Sequence, residues 1–166
     1  MEHLLGKFLE LLDGEESLYG SLLLTLQKEK RSVVDANIEK LTESTKEKEN
    51  LFLKIRILEE QRLIMAERVS EMLGEPGRSL TLTQLSQRVE EPYATRIKDS
   101  QSSLLSLAQS IQEINESNKA LLNHSLDLVK GSLNLLNDLL PSCPVYFRTG
   151  RIHARQHSGK VFEGKI

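Results

Sequence analysis

The sequence predicts an all-α fold: an elongated, coiled-coil-like antiparallel bundle of three long helices with a short helical connector and a flexible C-terminal tail. The first observation is that the 166 residues include 31 leucines but only seven aromatic residues and no tryptophan, so leucine supplies the core. The second is that nine glycines and four prolines are too few for the frequent turns of a barrel or a sandwich. Charged residues make up 28% of the chain, a share that suits helices with one face in solvent.

The first long helix is predicted over residues 2–30. Its apolar residues recur at steps of three and four, the spacing that places side chains on one face of a helix. A short break is expected between residues 28 and 35, because Ser32 and Asp35 can each accept hydrogen bonds from the first N–H groups of a new helix. The apolar face consists of Leu5, Phe8, Leu12, Tyr19, Leu22 and Leu26.

The second long helix is predicted over residues 35–73. It ends there because Gly74 suits the left-handed residue that follows many helices, and because Pro76 cannot continue a helix. The same three-and-four spacing describes most of its apolar face, which consists of Ile38, Leu41, Phe52, Ile55, Leu58, Met65, Val69 and Met72.

A short helical connector is predicted next, over residues 81–90. Thr81 and Gln84 have the spacing of a capping box, in which each side chain bonds to the other residue's backbone N–H. Pro92 can open the helix that follows, since its missing N–H is not needed in a first turn.

The third long helix is predicted over residues 93–140, where Pro141 and Pro144 end it. Residues 1–140 would then form one helical bundle domain. Residues 141–166 show no periodicity and carry five lysine and arginine side chains against one carboxylate, so they are expected to form a flexible basic tail. The face that would close the bundle consists of Ile97, Leu104, Leu107, Ile111, Ile114, Asn118, Leu121, Ser125, Leu128, Ser132, Leu135 and Leu139.

A second apolar stripe runs beside this face near the end of the third helix. Asn118, Ser125 and Ser132 dilute the first stripe there, whereas the second is wholly aliphatic. The second stripe either widens the buried core or remains available to another protein chain, and its composition favours the latter. It consists of Leu122, Leu126, Val129, Leu133, Leu136 and Leu140.

Composition and spacing argue against several other functions. The formal net charge of −2 provides no positive field for nucleic acid. No phosphate-binding glycine motif or catalytic residue pair is found. His153 and His157 have the spacing of metal ligands but lack further donors nearby, so no enzyme, cofactor or metal site is expected. Cys143 is the single cysteine, and neither a signal peptide nor a membrane-spanning stretch is visible, which predicts a cytoplasmic protein without membrane insertion. Binding another protein is therefore the expected function.

The run from Asn118 to Leu136 contains an asparagine, paired leucines and a serine at regular intervals. In these residues it resembles the C-terminal signature of the FlgN family of flagellar export chaperones. Four further stretches resemble the N-terminal half of the family. They are Leu18-Tyr19, Leu22-Leu23, the segment from Lys48 to Phe52, and the string from Leu58 to Arg62.

This resemblance implies a cytosolic type III secretion chaperone that holds hook-associated proteins of the flagellum by their C-terminal helices before export. Tyr146, in a string similar to the family's tyrosine-glycine segment, would dock the loaded chaperone at the export gate. Leu140 continues the second stripe and is expected to extend the client surface. By position, the resemblance places on that surface Asn118, Leu122, Ser125, Leu126, Val129, Leu133 and Leu136.

Two other functions remain compatible with the sequence. One is a chaperone for a different type III secretion client. The other is a structural coiled-coil adaptor that oligomerises through residues 93–140. The chaperone is expected to be a monomer or a weak dimer, whereas the adaptor would form oligomers that depend on concentration.

Overall fold

The computed structural model describes residues 1–75, 80–139, 145–146 and 152–153. Three long helices pack together and confirm the all-α class. The elements are α1 (Glu2–Val34), α2 (Ile38–Met72), α3 (Leu82–Ser86), α4 (Tyr93–Leu139), β1 (Val145–Tyr146) and β2 (Ile152–His153).

The break between α1 and α2 lies later than the sequence suggested. α1 does not stop at residue 30 but continues to Val34, because the charged residues before it are good helix formers. Ala36 then adopts a left-handed conformation with φ of 50°. The cap of α2 is Asn37, whose side chain accepts a hydrogen bond from the Lys40 N–H at 2.9 Å, so the expected caps at Ser32 and Asp35 were wrong.

The segment after α2 follows the predicted stop and start signals. Gly74 has φ of +85°, the left-handed conformation expected of it. The capping box of Thr81 and Gln84 is present, with both reciprocal hydrogen bonds. The connector helix α3 spans only five residues rather than the expected ten.

α1 and α2 form an antiparallel hairpin, and the first part of α4 runs parallel to α1. Along α4, Arg96 bonds to Asp13 of α1 at 3.1 Å, and Ser103 further on donates to Glu16 at 2.9 Å. Gly14 allows the hairpin helices to approach closely, because a Cβ at that position would lie 3.0 Å from Leu58 Cδ2.

The described core has two apolar clusters. The larger one joins the start of α1, the end of α2, the connector and the start of α4; its buried residues are Leu5, Phe8, Leu9, Leu12, Ala66, Val69, Leu80, Leu85 and Ile97. The smaller one is formed by Leu22 and Leu26 of α1 with Leu51 and Ile55 of α2. Partly buried apolar residues that pack against the smaller cluster are Leu18, Tyr19, Ile111 and Ile114.

The chain divides into two compact units, residues Met1–Leu121 and Leu122–Ile166, so the division falls within α4. The first unit contains both clusters. The second contains the α4 segment 122–139 and the strands, in which Val145 pairs with His153 and Tyr146 with Ile152. These strands lie where the sequence predicts no regular structure, and their β-branched and aromatic residues favour strands. The rest of the predicted tail, 141–166, lies outside the described residues.

Candidate functional site

Among the described residues, the largest run of exposed apolar side chains lies on the α4 segment 122–139. Leu122 at its start is partly buried, but seven large side chains after it are between 51% and 70% exposed. We call this set the exposed leucine face; it consists of Leu126, Leu128, Val129, Leu133, Leu135, Leu136 and Leu139.

The exposed leucine face covers one half of the helix circumference. Each residue turns the helix by about 100°, which places the seven side chains on one side and Asp127, Lys130 and Asp138 on the other. Ser132 lies within the apolar half, where its hydroxyl donates to the Leu128 carbonyl at 2.9 Å. That hydroxyl is therefore satisfied within its own helix and adds little polarity to the face.

The size of this face exceeds what a monomeric protein usually exposes. Seven such side chains present on the order of 700 Å² of apolar surface, taking roughly 100 Å² for each. Contiguous apolar patches beyond a few hundred Å² usually mark a binding site, and about 800 Å² per partner is typical of a stable interface. The face is thus large enough to bind another polypeptide.

The structure places most residues of the predicted client surface together on this segment. Leu126, Val129, Leu133 and Leu136 are exposed, whereas Leu122 and Ser125 are partly buried. Leu140 lies outside the described residues.

Three further residues of the face were not predicted to be exposed. Leu128, Leu135 and Leu139 were expected to close the bundle, but all three are exposed. The sequence did contain a signal of this exposure: Ser125 and Ser132 stand in the same stripe as these leucines, and small polar residues are poor core formers.

Asn118 does not lie on the exposed surface, although the resemblance placed it there. Only 1% of Asn118 is exposed. Its amide nitrogen donates to the Leu26 carbonyl and to Glu29 Oε2, both at 2.9 Å. Since both neighbours are acceptors only, the orientation of the amide is determined by its hydrogen bonds. Asn118 is therefore a core residue in this structure.

Glu29 of α1 connects Asn118 of α4 to Lys48 of α2. Its other oxygen, Oε1, accepts a hydrogen bond from Lys48 Nζ of α2 at 2.5 Å. Among the described residues, Asn118 Oδ1 is buried and has no hydrogen-bond partner. We call Glu29, Lys48 and Asn118 the polar junction; the sequence contained no spacing that would have predicted it.

A second set of polar contacts joins α1 and α2 nearer the middle of the hairpin. Glu15 accepts a hydrogen bond from Arg62 Nε at 2.7 Å; burial raises the pKa of Glu15, and the bond and charge of Arg62 oppose this. Tyr19 donates to Glu59 Oε1 at 2.7 Å, and its burial together with this bond raises its pKa to about 12. These contacts join the two helices of the hairpin.

Among the described residues, the middle of α2 carries a second and smaller set of exposed apolar side chains. It has five members against the seven of the exposed leucine face; they are Phe52, Leu53, Ile57, Leu63 and Ile64. Across the described ranges, no group of three or more histidine, cysteine, aspartate or glutamate residues could hold a metal ion. None of the described helices combines the length and the apolar character that crossing a bilayer requires.

Tyr146, the predicted docking residue, lies in strand β1. No curated protein and no solved structure matches the chain. The sequence model of one family, described as FlgN protein, matches residues 1–151, which is most of the 166-residue chain. Its members are chaperones for type III export of flagellar proteins. With three long helices and one exposed leucine face, this chain belongs to the FlgN family.

Proposed function

We propose that this chain is a cytosolic chaperone for the hook-associated proteins of the flagellar hook-filament junction. It binds their C-terminal amphipathic helices, prevents premature assembly and delivers them to the type III export gate. The proposal rests on the exposed leucine face, which covers half of the helix circumference along the α4 segment 122–139. Family membership supports a flagellar client in general.

The proposed mode of binding is the packing of one amphipathic helix on another. A client helix that has not yet assembled exposes an apolar face, which favours aggregation. Covering it with the exposed leucine face removes apolar area from water on both partners, at roughly 25 cal/mol per Å² before the costs of association. This mechanism requires no bond making or breaking, so neither enzymatic activity nor a cofactor is part of the proposal.

The principal test is the double substitution Leu126→Asp with Leu133→Asp. Two buried carboxylates would oppose the packing of a client helix, so we expect affinity for a client C-terminal peptide to fall by at least about 100-fold. Both positions are exposed, so the helical content and the melting temperature should change little. Calorimetric titration with the peptide and circular dichroism measure the two quantities.

A matched control is available on the opposite side of the same segment. Asn123→Asp with Asn134→Asp adds the same charge at two exposed positions of the polar half. This control should bind the peptide as the unmodified chain does. Equal loss of affinity in both double variants would contradict binding through the exposed leucine face, as would unfolding of the first variant.

We assign delivery to the export gate to the segment that contains Tyr146. Deleting residues 145–166 should leave affinity for the client peptide unchanged while export of the client from cells falls severalfold. A point variant, Tyr146→Ala, should reproduce the export defect. A deletion that weakens peptide binding as strongly as export would contradict this division of roles.

The alternatives make different predictions about assembly and client. A structural adaptor that oligomerises through residues 93–140 would grow in size with concentration, as measured by light scattering. The proposed chaperone should instead be a monomer or weak dimer that forms a one-to-one complex with peptide. A chaperone for another type III client would bind that client's helix and not the hook-associated one. Nucleic acid should not bind in either case.

A further inference from the structure

We infer that the polar junction is a clamp, and that its opening releases the α4 stretch 101–121 from the hairpin of α1 and α2 as one cooperative piece. The inference concerns only the unit Met1–Leu121 and does not depend on the proposed client. Three observations support it: where α4 is buried, what the clamp is made of, and which atom in it lacks a partner.

Burial along α4 is concentrated at the two ends of its packed part. The start of the helix is held by Ala94, Ile97 and Ser100, all of them buried. After Ser100, the one α4 residue that is fully buried in the described structure is Asn118. The aliphatic residues between them are only partly buried; they are Leu104, Leu107, Ile111 and Ile114. The far end of the packed part is therefore held by a polar side chain and not by an aliphatic one.

The clamp can open without leaving a buried charge alone. Glu29 and Lys48 belong to the hairpin, with Nζ and Oε1 2.5 Å apart, and this ion pair stays together when α4 moves away. The two bonds donated by Asn118 are replaced by bonds to water, so their loss costs little net free energy. An aliphatic residue at the same place would lose its burial and regain nothing from water.

One atom is better satisfied in the open state than in the closed one. Asn118 Oδ1 is buried without a hydrogen-bond partner, which costs free energy as long as the clamp is closed. On opening, water supplies that bond. A clamp with one orphaned acceptor is thus weaker than its two strong bonds suggest, and the stretch it holds opens more readily than the hairpin.

The test is amide hydrogen exchange measured residue by residue on the full chain, with two variants that should act in opposite directions. Asn118→Ala removes both donated bonds and leaves the buried Glu29 Oε2 without this donor in the closed state, so we expect exchange in residues 101–121 to accelerate by roughly tenfold or more. The triple variant E29L/K48L/N118L makes the junction apolar and removes the orphaned acceptor, so exchange there should slow by roughly tenfold.

The amides of α1 and α2 in the smaller apolar cluster are the internal reference and should exchange at an unchanged rate in Asn118→Ala. Equal acceleration across all three helices would overturn the inference, since opening would then be global. Unchanged exchange in residues 101–121 in both variants would overturn it as well. If the triple variant does not fold, as judged by circular dichroism, the exchange rates of Asn118→Ala alone test the inference.

Discussion

The two parts of α4 share one leucine-rich pattern but have opposite environments. In the first unit, Ile97 is fully buried. The stripe residues that follow it are partly buried; they are Leu104, Leu107, Ile111 and Ile114. In the second unit, Leu135 and Leu139 continue the same three-and-four spacing and are 62% and 70% exposed. Periodicity therefore identifies which face of a helix is apolar, but the surroundings decide whether that face is core or binding surface.

The largest expected effect is a difference in unfolding free energy between substitutions in the two parts of α4. Ile97→Ala should lower the free energy of unfolding by about 2–5 kcal/mol, because it removes a fully buried side chain from the larger cluster. Leu135→Ala should change it by less than about 0.5 kcal/mol, since that side chain is already in water. Urea unfolding followed by circular dichroism measures both. A comparable loss in the two variants would mean that residues 122–139 are packed in the free protein.

A smaller effect should appear in how the stability of the first unit depends on pH. The pKa of Glu15 is raised in the folded state by burial. As pH rises above 4.5, the unfolded chain releases this proton first, so the contribution of Glu15 to stability is present at low pH and is lost as pH rises through its folded pKa. The unfolding free energy of the unmodified chain minus that of Glu15→Gln should therefore decrease from pH 4 towards pH 7.

Arg62 and Glu59 face Glu15 and enter the same measurement. The hydrogen bond from Arg62 and its positive charge lower the pKa of Glu15, whereas the negative charge of Glu59 raises it. Guanidinium unfolding curves at four pH values between 4 and 7 give the difference directly. A difference that grows with pH would show that Arg62 outweighs burial.

The smallest effect concerns two glycines, one in each part of the molecule. Gly131 in the exposed part of α4 has open space where a Cβ would lie, so Gly131→Ala should stabilise the helix by up to about 1 kcal/mol. Gly14 faces Leu58, whose Cδ2 would lie 3.0 Å from a new Cβ, so Gly14→Ala should gain less or lose stability. Thermal melts of the two variants provide the comparison. Equal gains would mean that the leucine moves aside freely.

Local signals in the sequence predicted the helices well and their ends unevenly. Gly74 and the pair Thr81 and Gln84 act within a few residues of one another, and the structure confirms both signals. The α1 end was predicted too early because a dense run of charges resembles a loop, although lysine, glutamate and arginine favour helices. Asn37 carried the true start signal, a strong cap directly before an apolar residue.

The candidate site was predicted in part, for a physical reason. The second stripe was recognised from its spacing and aliphatic composition, both of which are local properties of one helix. The exposure of Leu128 and the burial of Asn118 depend on which parts of other helices lie beside α4, and no single-helix pattern contains that information. Asn118 bonds to Glu29, 89 residues away in sequence, so sequence spacing could not reveal the polar junction.

The order of the elements has a consequence for the synthesis of the chain. The α1 and α2 helices are joined by a turn of three residues, so their hairpin can close as soon as both have left the ribosome. The α4 partners of α1 are made 83 to 92 residues later. Until then, the apolar residues of the hairpin that Ile111 and Ile114 will cover remain open to water. A nascent member of this chaperone family thus passes through a stage in which it resembles an unprotected client.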